Sequence, residues 1–259
     1  MRTSILAVAL LATTALSNAS RAETVAALAG DDSIAVVDTA AKKVTKAWKV
    51  SGATGKLVGI DVRPADGMLY GLTSDGTIWT IDTSSGKAMQ KSKLDMPLPA
   101  NGTITVDFNP VADRLRVIGA DGSNLRINVD DGKVTRDGNL KFADTDMHKG
   151  RTPKIVAGAY SNSMKGAKET TLYDIDASGA FLRQAPPNDG VLNSIGMLGT
   201  GADRAAFDIV ADGQGGNIGW LLAGGTLYRV DLATGKASQA GKIAGINGTV
   251  RDIAVLPRM

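Results

Sequence analysis

A short apolar run that ends in an Asp or Asn turn recurs five times along the chain, and this repeat limits the fold more than any other feature. The copies are Ser33-Ile-Ala-Val-Val-Asp38, Thr77-Ile-Trp-Thr-Ile-Asp82, Ser123-Asn-Leu-Arg-Ile-Asn128, Thr171-Leu-Tyr-Asp-Ile-Asp176 and Thr226-Leu-Tyr-Arg-Val-Asp231. Their last residues stand 44, 46, 48 and 55 apart. Gly86, Gly132, Gly179 and Gly235 follow four of them. β-Branched and aromatic residues ahead of an Asp/Gly turn are what a hairpin needs, because glycine supplies the positive φ.

A second pattern precedes the first by some 20 residues, as Gly59-Ile-Asp-Val-Arg63, Thr105-Val-Asp-Phe-Asn109, Ala206-Phe-Asp-Ile-Val210 and Val250-Arg-Asp-Ile-Ala254. A degenerate copy is expected between Asp107 and Asp208, which lie 101 residues apart. Further strands fall between the two patterns and after the first, so each unit has four strands, with the Asp-turn run as the third. The C-terminal copy, Thr249 to Leu256, has no successors, and Thr24 to Val50 lacks a first strand. The two ends complete each other if the C-terminal strand joins the N-terminal unit, which closes a ring and removes exposed sheet edges. The expected fold is therefore all-β, a five-bladed β-propeller. Six blades would fit only if the irregular fourth unit concealed an extra one.

The chain's beginning stands outside this pattern. Met1-Arg2, an apolar run from Ile5 to Leu16 and small residues at Ser20 and Ala22 read as a secretory signal over residues 1–22, cleaved near Ala22. The expected mature protein is one domain, 23–259, periplasmic or secreted. Of 29 basic residues Arg2 and Arg21 lie in the leader, which leaves 27 against 26 acidic ones, too even a balance to favour nucleic acid. No later run is long enough to span a bilayer. Cysteine is absent, which excludes disulfides, thiolate metal sites and a cysteine nucleophile.

Candidate chemistry is sparse, and each candidate has a structural counterpart. Arg114 and Arg116 share a strand face, and Arg126 lies on the next strand, so three guanidinium groups could clamp a carboxylate or phosphate. They could equally pair with Asp107, Asp113 and Asp130. Asn124 occupies a slot that is Ile or Leu in the other units and must find a partner. Asp144, Asp146 and His148, the one histidine, alternate along a loop and could ligate a divalent metal, or form a solvated polar loop. A Ser-His-Asp triad would need that histidine, and no Gly-x-Ser-x-Gly elbow occurs. The recurrent Asp61, Asp107, Asp208 and Asp252 could ring a channel and hold a cation. Repetition in every unit favours instead a structural role, in which each accepts hydrogen bonds from the neighbouring blade.

Val106-Asp-Phe-Asn-Pro-Val-Ala-Asp-Arg-Leu-Arg116, Asn124-Leu-Arg-Ile-Asn128, Gln184-Ala-Pro-Pro-Asn188 and Phe207-Asp208 resemble a family of secreted bacterial proteins known as domain of unknown function 4394. The resemblance spans nearly the whole mature chain, implies a propeller and brings no activity, ligand or catalytic residue.

The function expected from these features is an exported binding or scaffold module, or a structural envelope component. Its partner would be a small polar ligand or an envelope protein. It needs no cofactor and no second copy. Insertions in repeat proteins map to loops, often on the binding face. The segments 143–153 and 184–201, with Asn188 and Asp189, are therefore expected to flank one entrance near Arg116, Asn124 and Arg126, suited to a small anionic or polar ligand. The alternative that the 184–201 loop only covers a blade junction stands beside it. The rival function is a hydrolase or lyase using channel-mouth carboxylates.

Overall fold

The computed structural model describes residues 22–99, 102–202 and 204–258, so the leader run lies outside the described residues. The described residues form 21 strands. The first blade takes three from the N-terminal segment, β1 (Thr24–Ala29), β2 (Ser33–Asp38) and β3 (Lys43–Lys49). The second is β4 (Leu57–Val62), β5 (Leu69–Thr73), β6 (Thr77–Ile81) and β7 (Ala88–Lys93). The third is β8 (Ile104–Asn109), β9 (Arg114–Gly119), β10 (Asn124–Ile127) and β11 (Val134–Arg136), after which comes the short β12 (Lys141–Phe142). The fourth is β13 (Ile155–Tyr160), β14 (Leu172–Asp176), β15 (Ala180–Gln184) and β16 (Val191–Met197). The fifth is β17 (Ala205–Ala211), β18 (Asn217–Ala223), β19 (Thr226–Val230) and β20 (Ala237–Lys242), and the chain ends with β21 (Val250–Val255).

Five sheets result, and β21 forms the inner edge of the first, paired antiparallel with β1. The ring closes as the repeat requires, and there are five blades. The inner strands β21, β4, β8, β13 and β17 each contact the next around the axis. Each of the five blade junctions has its own apolar core, because successive side chains on a strand point to opposite faces and so to opposite neighbours. Phe108, for example, packs edge-on to Tyr70 of the second blade. Phe181 of the fourth blade does the same to Phe207 of the fifth.

In the fourth blade the Asp-turn run is the second strand, β14, and not the third. The turn shows why. In the second, third and fifth blades the amide of Gly86, Gly132 or Gly235 bonds the carbonyl four residues back, and Lys42, at φ 56°, does so in the first. Gly179 bonds Asp176, three back, as Gly76 bonds Thr73 in the turn between second and third strands. The 55-residue interval before Asp231 is therefore an extra strand and not a long insertion. The added chain lies ahead of the blade, where β12 pairs parallel with β16 and makes the fourth sheet five-stranded.

Candidate functional site

The inner-strand carboxylates act as latches. Asp252 accepts the amide of Ile60 at 2.9 Å, Asp61 that of Phe108 at 2.6 Å, Asp107 that of Tyr160 at 2.8 Å and Asp208 that of Val255 at 2.6 Å. Each bond crosses to the next blade, which is the structural role expected from their repetition. Asp61, Asp107 and Asp208 also offer oxygens within 4.8 Å of one another, and they are the residues that could hold a cation on the axis. Burial, helped by the neighbouring carboxylates, pushes Asp61, Asp107 and Asp252 well above the usual carboxylate range, and burial raises Asp208 to about 7. The fourth inner strand brings no such group. Its side chains in the core with the fifth blade are Ala157 and Ala159.

That blade holds a different carboxylate. Asp174 on β14 lies across from Gly158, where an added Cβ would come 2.5 Å from its Oδ1. It is fully buried, and neither oxygen has a hydrogen-bond partner. Burial raises its pKa to about 8 against the opposing pull of Arg116.

The junction of the third and fourth blades carries a polar network beside its apolar core, placed there by the same alternation. Leu115, Val117, Leu125 and Ile127 face the second blade, so Arg116, Asn124 and Arg126 face the fourth. Arg116 is 2% exposed and four of its five donors are used: Nε on Tyr160 Oη at 3.1 Å, Nη1 on Asn124 Oδ1 at 2.8 Å and Asp137 Oδ2 at 2.6 Å, Nη2 on Asn188 Oδ1 at 2.9 Å. Arg126 grips Asp137 with two bonds of 2.7 and 2.9 Å. Burial alone would raise the Asp137 carboxyl, but the bonds from Arg126 and Arg116 outweigh it and hold the group below its usual range. Asn124 donates to the carbonyls of Gly138 and Pro187.

Four of the six sequence candidates, Arg116, Asn124, Arg126 and Asn188, thus meet, but as a closed network. Arg114 is not among them and donates to the carbonyls of Ala112 and Asp113. Asp189 is exposed and makes none of these bonds. The expected partners also change. Asp137 replaces Asp107 for the arginines, while Asp113 and Asp130 bind Arg63 at 2.6 and 2.9 Å, a residue the sequence pattern did not single out.

The metal candidates separate. The Asp144 side chain is 96% exposed, 3.6 Å from Lys149. Asp146 accepts the Ser194 amide at 2.6 Å and hydroxyl at 3.0 Å, and His148 Nδ1 lies 3.0 Å from Ser194 Oγ and 3.5 Å from Asp146. Histidine and aspartate converge on the serine from one side, with a single ring nitrogen facing both. A relay needs the two nitrogens to face different partners, so the cluster ties the 143–153 segment to β16. Neither that segment nor 184–201 lines the axial cavities described next. The Asn188 loop instead covers the junction of the third and fourth blades.

Two cavities of about 330 Å³ open at opposite ends of the axis. One lies where the inner strands begin, lined by Val58, Ile104, Val156 and Val250 with Arg204 and Arg251. The other lies where they end and includes Asp61 and Asp208. A larger cleft of about 830 Å³ opens between the first and second blades. Val36, Met68, Leu69, Ile81, Met89 and Leu256 line it, with Lys46, Lys87 and Arg258 alongside. Met68 and Met89 are 43% and 61% exposed.

The fold and its latches define a five-bladed β-propeller closed by its C-terminal strand. The chain belongs to the family described as Domain of unknown function (DUF4394), which matches residues 33–254. No curated protein matches it. A solved protein of unknown function from Bacteroides thetaiotaomicron VPI-5482 is similar at 16% identity and a TM-score of 0.54, over 91% of this chain and 65% of that one. Another of unknown function, from Bacteroides caccae, is similar at 12% identity and 0.45, over 92% of this chain and all of that one. The first of these likenesses bears on the fold alone.

Proposed function

We propose that this chain is an exported binding module that takes a small amphipathic ligand in the cleft between its first and second blades. The observation that carries this reading is the cleft itself: about 830 Å³, within the size range of ligand sites, floored by aliphatic side chains and two exposed methionines. Methionine's flexible thioether lets one apolar floor fit ligands of different shape. Lys46 and Lys87 give a polar head group something to meet at the rim. The leader-like run ahead of Ala22 supports export.

Fluorescence titration with 8-anilinonaphthalene-1-sulfonate tests the site. The native protein is expected to bind the dye, and Met68→Glu with Met89→Glu to weaken it at least tenfold without lowering the melting midpoint. Equal binding by the variant would remove the cleft from consideration.

A hydrolase or lyase is the second reading, favoured by Asp208, which lines an axial cavity with its pKa pushed up to about 7 by burial. Turnover of a chromogenic ester or glycoside that disappears in Asp208→Asn would establish it. A panel without turnover would dismiss it.

A further inference from the structure

The cavity at the beginning of the inner strands differs in kind from its opposite number. Four strands contribute one partly exposed apolar side chain each, Val58, Ile104, Val156 and Val250, which form a collar around the axis. Above the collar stand Arg204 and Arg251, with the hydroxyl-bearing Thr103 and Thr249, and no carboxylate among the described residues lines the cavity. Arg204 makes no ion pair among the described residues; its Nη1 lies 3.5 Å from Thr249 Oγ1. Arg251 bonds Asp31 at 2.6 Å, but Asp31 is also held by Lys56 at 3.0 Å, so one carboxylate faces two cations and positive charge is left over. The latching carboxylates Asp61 and Asp208 line the opposite cavity. Among the described residues, the charged side chains that line the first mouth are therefore all basic, while the opposite cavity carries both signs.

We infer that this basic mouth is a second ligand site, which binds a small organic anion with its charged head on Arg204 and Arg251 and its apolar body on the valine and isoleucine collar. Guanidinium groups suit a planar carboxylate because they present paired donors. Water leaves the partly exposed collar when an aliphatic chain covers it. A cavity of about 330 Å³ sets the scale of the ligand at a short-chain acid. The assignment is independent of the cleft between the first and second blades.

Methyl-labelled protein titrated with hexanoate, its neutral analogue hexanamide and inorganic phosphate tests it. Hexanoate is expected to shift the methyl resonances of Val58, Ile104, Val156 and Val250, and hexanamide to do so at least tenfold more weakly. Phosphate should compete at least tenfold more weakly than hexanoate, because it leaves the collar uncovered. Arg204→Gln with Arg251→Gln should weaken hexanoate at least tenfold while the melting midpoint holds. The methyls of Met68 and Met89 report the cleft separately, so binding there is not mistaken for binding on the axis. Equal shifts from acid and amide, phosphate as effective as hexanoate, or silent collar methyls would each overturn the assignment.

Discussion

Asp174→Asn tests whether an unpaired carboxylate is carried inside the fourth blade. Asp174 is fully buried without a hydrogen-bond partner, and its pKa rises from 3.8 to about 8 in the folded protein. Below pH 3.8 folded and unfolded chains both hold the proton, and the group is neutral to stability. Between that value and about 8 the folded state keeps a proton that the unfolded state gives up, so stability falls roughly tenfold in the folding equilibrium per pH unit. Above about 8 both states are ionised and the loss is constant.

Asparagine has the same shape and no proton to lose, so it removes this one contribution. The other buried carboxylates titrate alike in both proteins and cancel. The variant's stability relative to native should thus rise by about 3 kcal/mol from pH 5 to pH 7. In a domain of this size that is a gain of roughly 5–10 °C in relative melting midpoint. Circular dichroism melts of both proteins across that interval measure it. A difference that stays constant with pH would refute the reasoning, whatever its sign.

Deleting residues 249–259 removes β21, with buried Ile253, Ala254 and Val255 and the Asp252 latch, and should cost about 5 kcal/mol or more by chemical denaturation. An unchanged midpoint would contradict ring closure. Arg116→Ala leaves Asp137 with Arg126 alone and should cost about 3–5 kcal/mol, whereas Arg114→Ala, outside the network, should cost under about 1. Lys42→Gly should stabilise by about 1 kcal/mol, seen as a small rise in melting midpoint, because Lys42 holds the left-handed φ of 56° that glycine holds in three sister turns.

The strands, the blade number and the ring closure were legible because hairpin turns and alternating apolar residues are local signals that the chain repeats. The strand shift in the fourth blade was also written in the sequence, as a glycine three rather than four residues after Asp176, but a pattern read without turn spacing passes over it. The polar junction was legible in part. Asn124 in an aliphatic slot marked it, and alternation put Arg116 and Arg126 on one face. Asp137, the carboxylate that satisfies them, sits just beyond the short β11, outside any repeat position, so nothing periodic pointed to it. The cleft and the axial mouths were not legible at all. They are made of residues from opposite ends of the chain, such as Val36, Met89 and Leu256, which only ring closure brings together.

The irregularities of the fourth blade share one physical cause. Its inner strand gives the fifth blade Ala157 and Ala159 where the other inner strands send a carboxylate to their neighbour. Toward the third blade it leaves room at Gly158, which Asp174 fills. The third blade answers with Arg116 instead of the large apolar groups, Tyr70 and Trp220, found at the matching place on the second strands of the second and fifth blades, and Arg126 stands beside it on the third strand. Guanidinium groups inside a blade junction must be satisfied or their burial is prohibitive. Asp137, Asn124 and Asn188 supply the acceptors, and the chain that carries Asn188 has to lie over the junction to reach them. The covering loop, the added β12 and the closed arginine network are thus parts of one arrangement. It turns a polar set of side chains into an interior, and the sites proposed for ligands, the aliphatic cleft and the basic mouth, lie elsewhere.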